Sequence, residues 1–476
     1  MNTTIRTLAA ALAVPFALAS AQQQVASVDH ACCKTKADSV AHASHATKAG
    51  LDSAAGAVAL WSLLPPIQMQ NFRPADQRGV NVFESPKESG IPFTGFRISW
   101  GAAFRQQFQG LEHKNTATPV MSGSTNVNQL IDIGRGFNLA DANLSLNMQV
   151  ADGIRVHLST YLSSKHHQDA WVKDGYFLMD KSPIDHPLLN TIMKYTTVKM
   201  GHYETNFGDQ HFRRSDNGNG MHNAFVGNLI IDAFTTEVGG EAYFRNKGII
   251  AMAGLNSGTI NGGVTAPDRR SNAYLGKLGY DKQLTGDLRL RLMGSYYKND
   301  KSTSNTLLTG DRAGHGYDLV MENTAASLTS QAWSGQMRSM GFSNTIRAYA
   351  VNPFVKWNGV EFFGTYDNFK GKSLSEPSWR SWTQQAGEVI YRFWDEKMFV
   401  GGRGNTAKGA LLNTAAITYT GDVSIDRNAL SAGWFVTPAL LMKGEYMQQK
   451  YHRFPARDIR SGGKIQGFVV EGVVSF

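Results

Sequence analysis

The chain contains pairs of segments in which apolar and polar residues alternate, with a short turn between the two segments. In the clearest pair, residues 139–150 and 154–164 flank the turn Ala151, Asp152 and Gly153. Even-numbered positions are mostly apolar and odd-numbered positions mostly polar in both segments. Because side chains alternate across a strand, this pattern predicts a β-hairpin with one apolar and one polar face. The hairpin alone does not distinguish a membrane barrel from a soluble β-sandwich.

Similar segments follow one another from about residue 93 to the end of the chain. Asn358-Gly359 is typical of a two-residue type I′ hairpin turn. Other short turns are predicted at residues 246–248, 281–287, 395–397 and 437–438. Long polar segments lie near residues 109–136, 205–233, 257–272, 299–344, 370–385 and 450–463. Short turns that alternate with long loops are typical of transmembrane β-barrels.

The strand count offers a test, because an even number is expected when both chain ends lie on one side of the membrane. A first count gives seventeen strands, and Leu411–Gly421 is the doubtful one. Assigning it to a loop gives sixteen. We therefore predict an all-β fold, a transmembrane antiparallel β-barrel over residues 91–476, with about sixteen strands and eighteen as the alternative. A barrel of this size would enclose an aqueous channel.

The last strand, Ile465 to Phe476, presents Phe468, Val470 and the terminal Phe476 on one face, with Glu471 on the other. A closing strand that ends on a phenylalanine resembles the last strand of outer-membrane proteins. In those proteins the barrel-assembly machinery recognises this strand. The resemblance implies the outer membrane of a Gram-negative bacterium. Barrel-assembly machinery, membrane lipid and lipopolysaccharide would then be partners, and no nucleic acid is expected.

The first residues have the three parts of a secretory signal peptide. Residues 2–6 are short and basic, residues 8–18 are apolar, and residues 19–21 read Ala-Ser-Ala, a small-residue cleavage site. We predict a signal peptide over residues 1–21. Residues 22–90 read as a partly disordered N-terminal periplasmic segment, which we take as a tether or gate. Entry into the barrel as a plug is the alternative, although the segment is small for that role.

Net charge and cysteine content do not decide the function of the chain. Formal net charge is +9, which fits either an anion-attracting pore or basic loops that contact lipopolysaccharide phosphates. Cys32 and Cys33 lie near His30, His42 and His45. Adjacent cysteines seldom both reach one ion, so we expect no metal site, and no cofactor.

The alternation predicts which basic side chains face the lumen. They are Arg97, Arg105, Lys277, Arg289 and Arg291. Guanidinium and ammonium groups in a water-filled pore favour anions. Inward acids also occur, namely Glu237, Glu241, Glu361, Glu445 and Glu471. Pairing of these charges across the wall, with a purely structural role, is the competing interpretation.

The loop of residues 205–234, the third extracellular loop by our count, carries Asp209, His211, Arg213 and Arg214. In general porins the third extracellular loop folds into the barrel and narrows it. We therefore take these four residues as constriction candidates. The alternative is an exposed loop that contacts lipopolysaccharide.

Residues 197–203, followed by Asn206-Phe207-Gly208 and a basic loop, resemble a strand and loop of the phosphate-selective porin superfamily. The hairpin formed by residues 433–438 and 440–446 resembles the same superfamily. The resemblance implies a sixteen-stranded general or anion-preferring porin. This sequence has only scattered inward basic residues where that superfamily has an arginine ladder and a lysine cluster.

The expected function is passive diffusion of small hydrophilic solutes, with anions preferred, through a non-enzymatic barrel for which a homotrimer is a candidate assembly. Two alternatives remain open. One is an outer-membrane barrel enzyme, although Ser159 and His157 lack an evident orienting acid in the sequence. The other is an adhesin or structural barrel that acts through its loops.

Overall fold

The computed structural model describes residues 69–87, 90–310, 316–329 and 334–476. Predictions for the signal peptide, for residues 22–68 and for Cys32 and Cys33 concern residues outside the described ones. Within the described part of the chain, sixteen antiparallel strands pair in chain order and the last pairs with the first. The predicted all-β barrel is confirmed, with sixteen strands and not eighteen.

The bounds of the elements are as follows. The strands β1 to β16 are Arg97–Lys114, Gly136–Ala151, Ile154–Ser163, Trp171–Met179, Thr196–Glu204, Thr236–Asn246, Ile249–Asn256, Ala273–Gln283, Leu288–Asn299, Thr345–Trp357, Val360–Lys372, Arg380–Phe393, Met398–Gly409, Val423–Thr437, Leu440–His452 and Lys464–Ser475. In the part of the chain that the structure describes, one α-helix, α1, covers Pro187–Met193. Among the described residues, no helix is both long and apolar enough to cross a membrane.

The barrel closes between β1 and β16. Twelve residues of β1 pair with β16, from Ala103 opposite Ser475 to Lys114 opposite Lys464. Beyond the strand end, Phe476 and Ala102 exchange two backbone hydrogen bonds of 3.0 Å. Closure therefore joins the two sheet edges that an open sheet would leave unpaired.

Short turns lie at one end of the barrel, here called the turn end, and long connections at the other, the loop end. Asn358 and Gly359 have φ values of 46° and 79°, as a type I′ turn requires. Leu411–Gly421 lies in the loop-end connection between β13 and β14, as predicted. The turn-end connection of residues 180–195, which contains α1, was not predicted.

The outward faces of the strands are apolar and exposed. Representative side chains are Leu158, Leu292, Val389, Leu430 and Val470. The outward and inward faces predicted for residues 465–476 are confirmed, since Phe468 and Phe476 are exposed and Glu471 is fully buried. A continuous exposed apolar band on a barrel is what a lipid environment requires.

The inward faces differ around the barrel, which the polar-inside expectation missed. On β10 to β16 many inward side chains are apolar and buried, for example Phe354, Trp382, Phe399 and Ile425. They pack against chain segments inside the lumen and not against water. Much of the lumen is therefore filled with protein, in contrast to the open aqueous channel that the strand count predicted.

Replacing outward Leu430 by arginine tests the membrane-facing assignment. Leu430 is 66% exposed near the middle of β14. We expect Leu430→Arg to lower the free energy of unfolding in lipid vesicles by about 2–4 kcal/mol, the cost of Arg near the bilayer midplane. The measurement is a urea titration in which unfolding is monitored by tryptophan fluorescence.

Leu374→Arg is the matched control, because Leu374 is 71% exposed in a loop-end connection. It should change the free energy of unfolding by less than about 0.5 kcal/mol, as for an ordinary surface substitution. Equal effects of the two substitutions would contradict a lipid-facing β14.

Candidate functional site

Loop L3, residues 205–235, folds into the lumen. Phe225, Val226, Ile230 and Ile231 of L3 are buried in the main apolar cluster. Loop L5, residues 300–344, contributes Tyr317 and other described residues to the same cluster. Sequence reasoning left open whether L3 folds inward, and the structure shows that it does.

Polar side chains of the wall hold the backbone of L3. The side-chain oxygens of Asn405 and Gln384 each accept a 2.7 Å hydrogen bond, from the N–H groups of Ile230 and Ile231 respectively. Lys443 donates to the carbonyls of Gly220, Asn223 and Phe225, at 2.8 to 2.9 Å. A loop inside a barrel has backbone groups that strands do not pair. Inward polar residues satisfy them.

The inner segment, residues 69–87, also lies inside the barrel, at the turn end. Phe83 packs edge-on against Phe354 of β10 and Phe212 of L3, with ring centroids 5.3 and 5.8 Å apart. The backbone N–H of Gln77 donates to Pro438 in the turn after β14. Of the interpretations open for the N-terminal region, these residues fit a plug.

A buried ion network joins the inner segment, L3 and the wall. Glu84 and Asp209 both lie within 3.1 Å of Lys277, which itself is on β8. Arg291 on β9 is within 2.8 Å of both carboxylates as well. A third acid, Asp281, lies 2.9 Å from Arg291 and 2.7 Å from Arg289. These predicted lumen residues do face inward, and each is paired with acids.

The remaining loop candidates are paired too. Arg213 lies 3.5 and 3.7 Å from the carboxylates of Glu388 and Glu361 on the wall. Arg214 is 2.7 Å from Asp232 within L3. His211 Nδ1 lies 2.5 Å from a carboxylate oxygen of Glu204, at the end of β5.

The two candidates on β1 differ from each other. Arg105 is fully buried between Asp141 and Glu471, at 2.9 and 3.5 Å. Arg97, at the turn end, donates to Thr94 and lines a cavity. Among the nine sequence candidates, the structure places only Arg97 and His211 on this cavity.

This lumen cavity has a volume of about 780 Å³ and lies between the inner wall of β1 to β5, the inner segment and L3. Its lining includes small polar side chains on β2 and basic ones on β3 to β5. Representative lining residues are Ser145, Asn147, Arg155, Lys173, Tyr176 and Lys199. This cavity between the wall, the inner segment and L3 is our candidate functional site.

The pore-lining candidates chosen from the sequence did not include Arg155, Lys173 or Lys199. The alternation does place Arg155 on the polar face of its strand. Which inward residues remain accessible depends on where L3 and the inner segment lie, and strand periodicity carries no information on that.

Ser159 and His157 were the one enzyme-like pair in the sequence, and the structure adds an acid. His157 Nε2 lies 3.2 Å from Asp174, and its Nδ1 lies 2.8 Å from the side-chain oxygen of Asn147. Each ring nitrogen of His157 therefore lies within 3.2 Å of an oxygen of Asp174 or Asn147. Ser159 makes no hydrogen bond to His157 in the described structure, so this arrangement lacks the serine–histidine contact of a nucleophilic site.

Loop L5 covers the lumen at the loop end. Lys165 Nζ lies 3.0 Å from a carboxylate oxygen of Asp318 in L5, and the Asp318 backbone exchanges hydrogen bonds with the side chain of Gln109 on β1. The next acid along, Glu322, is largely buried, and this burial raises its pKa to about 7. The charge on the described part of L5 therefore changes near neutral pH.

Comparison with known proteins assigns the chain to no family. No protein-family model matches the chain, and no curated protein matches it. The chain is similar to OmpT in its trimer form, an outer membrane protein of Vibrio cholerae, with 11% identity and a TM-score of 0.47 over 80% of this chain and 100% of that one.

Two further solved structures are similar to the chain. An anion-selective porin from Comamonas acidovorans has 10% identity and a TM-score of 0.47, over 80% of this chain and 100% of that one. OprB of Pseudomonas putida, in a high-pH structure, has 9% identity and a TM-score of 0.46, over 80% and 94%. With scores this low, the barrel architecture rests on the strand pairing described above.

Removing the charge of Asp209 tests the ion network. Asp209→Asn leaves Lys277 and Arg291 with one fewer buried counter-charge. We expect the free energy of unfolding to fall by about 3–5 kcal/mol, as when one partner of a buried ion pair is removed. Urea unfolding in detergent micelles measures it.

The control is Glu396→Gln, which breaks the exposed Lys356–Glu396 pair at the turn end. It should cost no more than about 1 kcal/mol. An Asp209→Asn protein as stable as the parent would show that the network does not hold L3 in the lumen.

Proposed function

We propose that this chain is an outer-membrane porin of a Gram-negative bacterium, through which small hydrophilic solutes diffuse passively, and that it catalyses no reaction. In this orientation the turn end faces the periplasm and the loop end faces the exterior. The exposed apolar band supports the membrane location. Within the proposal, the barrel-assembly machinery folds the chain, and lipopolysaccharide contacts its outer surface.

The observation that carries the proposal is the extent of the lumen cavity. Its lining begins at Arg97, the first residue of β1 at the turn end. It reaches Lys173, two residues from the loop-end start of β4. Solutes would pass along the polar arc of β1 to β5, while the rest of the lumen stays filled. Such a route is narrow, and it favours small solutes and low conductance.

The charge of the cavity supports a preference for anions. Seven Lys and Arg side chains line it, against five Asp and Glu side chains. Basic groups near a narrow aqueous path raise the local concentration of anions and lower that of cations. Phosphate selectivity has no comparable support, since the lining contains no continuous arginine ladder among the described residues.

Single-channel recording of the refolded protein in planar bilayers tests the function. We expect small, stepwise currents, and a reversal potential in a potassium chloride gradient that shows chloride to be more permeant than potassium. A folded barrel that inserts and carries no current would contradict the porin assignment, and a cation-selective current would contradict the anion preference.

Narrowing the cavity tests the route. Ser145→Trp places a large side chain on the cavity wall of β2. We expect single-channel conductance to fall at least about twofold, because a Trp side chain has an accessible area of about 150–250 Å². Ala432→Trp on the outward face of β14 is the control and should leave conductance unchanged. An equal effect of both substitutions would place the route elsewhere.

Releasing the inner segment tests whether it obstructs the pore. The double variant Phe83→Ala, Glu84→Gln removes its aromatic contact and its ion pairs. We expect larger and noisier single-channel currents, because residues 69–87 would then leave the turn end part of the time. The control double variant, Phe96→Ala with Glu112→Gln, alters two exposed residues. Currents like those of the parent protein would contradict an obstructing role.

A homotrimer is part of the proposal as well. Native mass spectrometry of the detergent-solubilised barrel would give three times the chain mass. A single-chain mass under the same conditions would remove the trimer and leave the porin function intact.

A further inference from the structure

Arg155 is a buried cation without an ion-pair partner in the described part of the chain. It lies on β3 facing the lumen cavity, and only 5% of it is exposed. Its Nε atom has no hydrogen-bond partner, and no described carboxylate lies within ion-pairing distance of its guanidinium group. A buried charge is costly unless it is paired. Arg105 and Arg291, by contrast, are buried arginines that are paired with acids.

Lys199 on β5 also has no ion-pair partner among the described residues. Its ammonium group lies 4.5 Å from the ring centre of Tyr176 and 4.4 Å from that of Tyr203. Its only hydrogen bond to a described residue is a long one of 3.5 Å, to the carbonyl of Glu204. Glu241 lies opposite Lys199 in the strand register, but its carboxylate accepts from Asn206 and Tyr243 instead.

The acids nearest to the cavity are already engaged. Glu204 and Asp216 are 3.1 and 3.4 Å from Lys173. Asp174 pairs with His157. Asp180 accepts from Asn71 and Thr197. No described acid forms an ion pair with Arg155 or Lys199, and the cavity lies in front of both side chains.

The register places the two cations in one row of the wall. Arg155 on β3 is opposite Leu178 on β4, and Leu178 is opposite Lys199 on β5. The backbones of β3 and β5 are about 10 Å apart, since neighbouring strands are separated by about 4.8 Å. Between the two charges, Leu178 and the ring of Tyr176 offer apolar surface to the cavity.

We propose that Arg155 and Lys199 form a binding site for a small organic dicarboxylate with an apolar bridge, such as glutarate. One carboxylate binds the guanidinium group and the other the ammonium group, while the methylene chain lies over Leu178 and Tyr176. A compact anion such as phosphate satisfies one cation and leaves the apolar surface uncovered. This inference rests on the proposed function, because the ligand would be a solute that the pore carries.

The test is isothermal titration calorimetry on the folded, detergent-solubilised protein at low salt. Glutarate, butyrate and inorganic phosphate are titrated separately. We expect glutarate to bind at least about tenfold more tightly than either of the others, because it alone meets both cations, and a charge-assisted hydrogen bond contributes roughly one factor of ten. Phosphate or butyrate binding as tightly as glutarate would overturn the proposal, as would no binding of glutarate.

Variants locate the site. Arg155→Gln and Lys199→Gln should each weaken glutarate binding about tenfold, to the level of butyrate with the parent protein. The control Lys408→Gln removes a positive charge from β13, where Lys408 forms an exposed pair with Asp422. It should leave glutarate affinity unchanged. Glutarate affinity that survives both lumen substitutions would overturn the assignment. Gel migration before and after heating verifies that each variant is folded.

Calorimetry and single-channel recording together distinguish the proposed dicarboxylate site from the proposed porin function. Glutarate binding through Arg155 and Lys199 in a barrel that carries no current would retain the site and reject the porin function. Anion-selective current without glutarate binding would retain the porin function and reject the site.

Discussion

Backbone hydrogen bonding around the closed sheet is the constraint on which the rest of this structure depends. In a lipid environment an unpaired N–H or C=O group costs several kcal/mol, so a sheet can span the membrane only if its first and last strands pair. Pairing of β1 with β16 over Ala103 to Lys114 supplies that closure. Closure in turn fixes which side chains face outward, and the apolar band follows from it.

Closing sixteen strands creates a wide lumen, and this chain fills most of it. L3, L5 and the inner segment bring backbone groups into the barrel that have no strand partners. Wall residues such as Gln384, Asn405 and Lys443 satisfy these groups, and ion pairs around Asp209 fix the loop to the wall. Such inward polar residues thus hold the filling in place, while the arc of β1 to β5 faces the lumen cavity.

The fold was largely predictable because its signals are local. Period-two alternation placed the strands, Asn358-Gly359 placed a turn, and the parity of the strand count assigned Leu411–Gly421 to a loop. The inward direction of Arg289, Arg291 and Lys277 also followed from alternation. The helix α1 was missed because a seven-residue helix in a turn-end connection gives almost no periodic signal.

The site was less predictable because its signals are not local. Asp209, Lys277 and Glu84 come from three distant parts of the chain, and their pairing becomes visible only when L3 and the inner segment are in place. Arg155 and Lys199 carry the same alternation signal as the paired arginines. What distinguishes them is the absence of a described counter-charge, a property of the folded barrel and not of any sequence window.

The central claim is that the cavity along β1 to β5 is a continuous path through the barrel. The most direct test uses Ser145→Cys in a chain whose Cys32 and Cys33 are replaced by serine, inserted in a planar bilayer. A charged, membrane-impermeant methanethiosulfonate reagent is added to one chamber and, in separate recordings, to the other. The account predicts a stepwise drop in current from either side, whereas a drop from only one side, or from neither, would contradict a continuous path past Ser145.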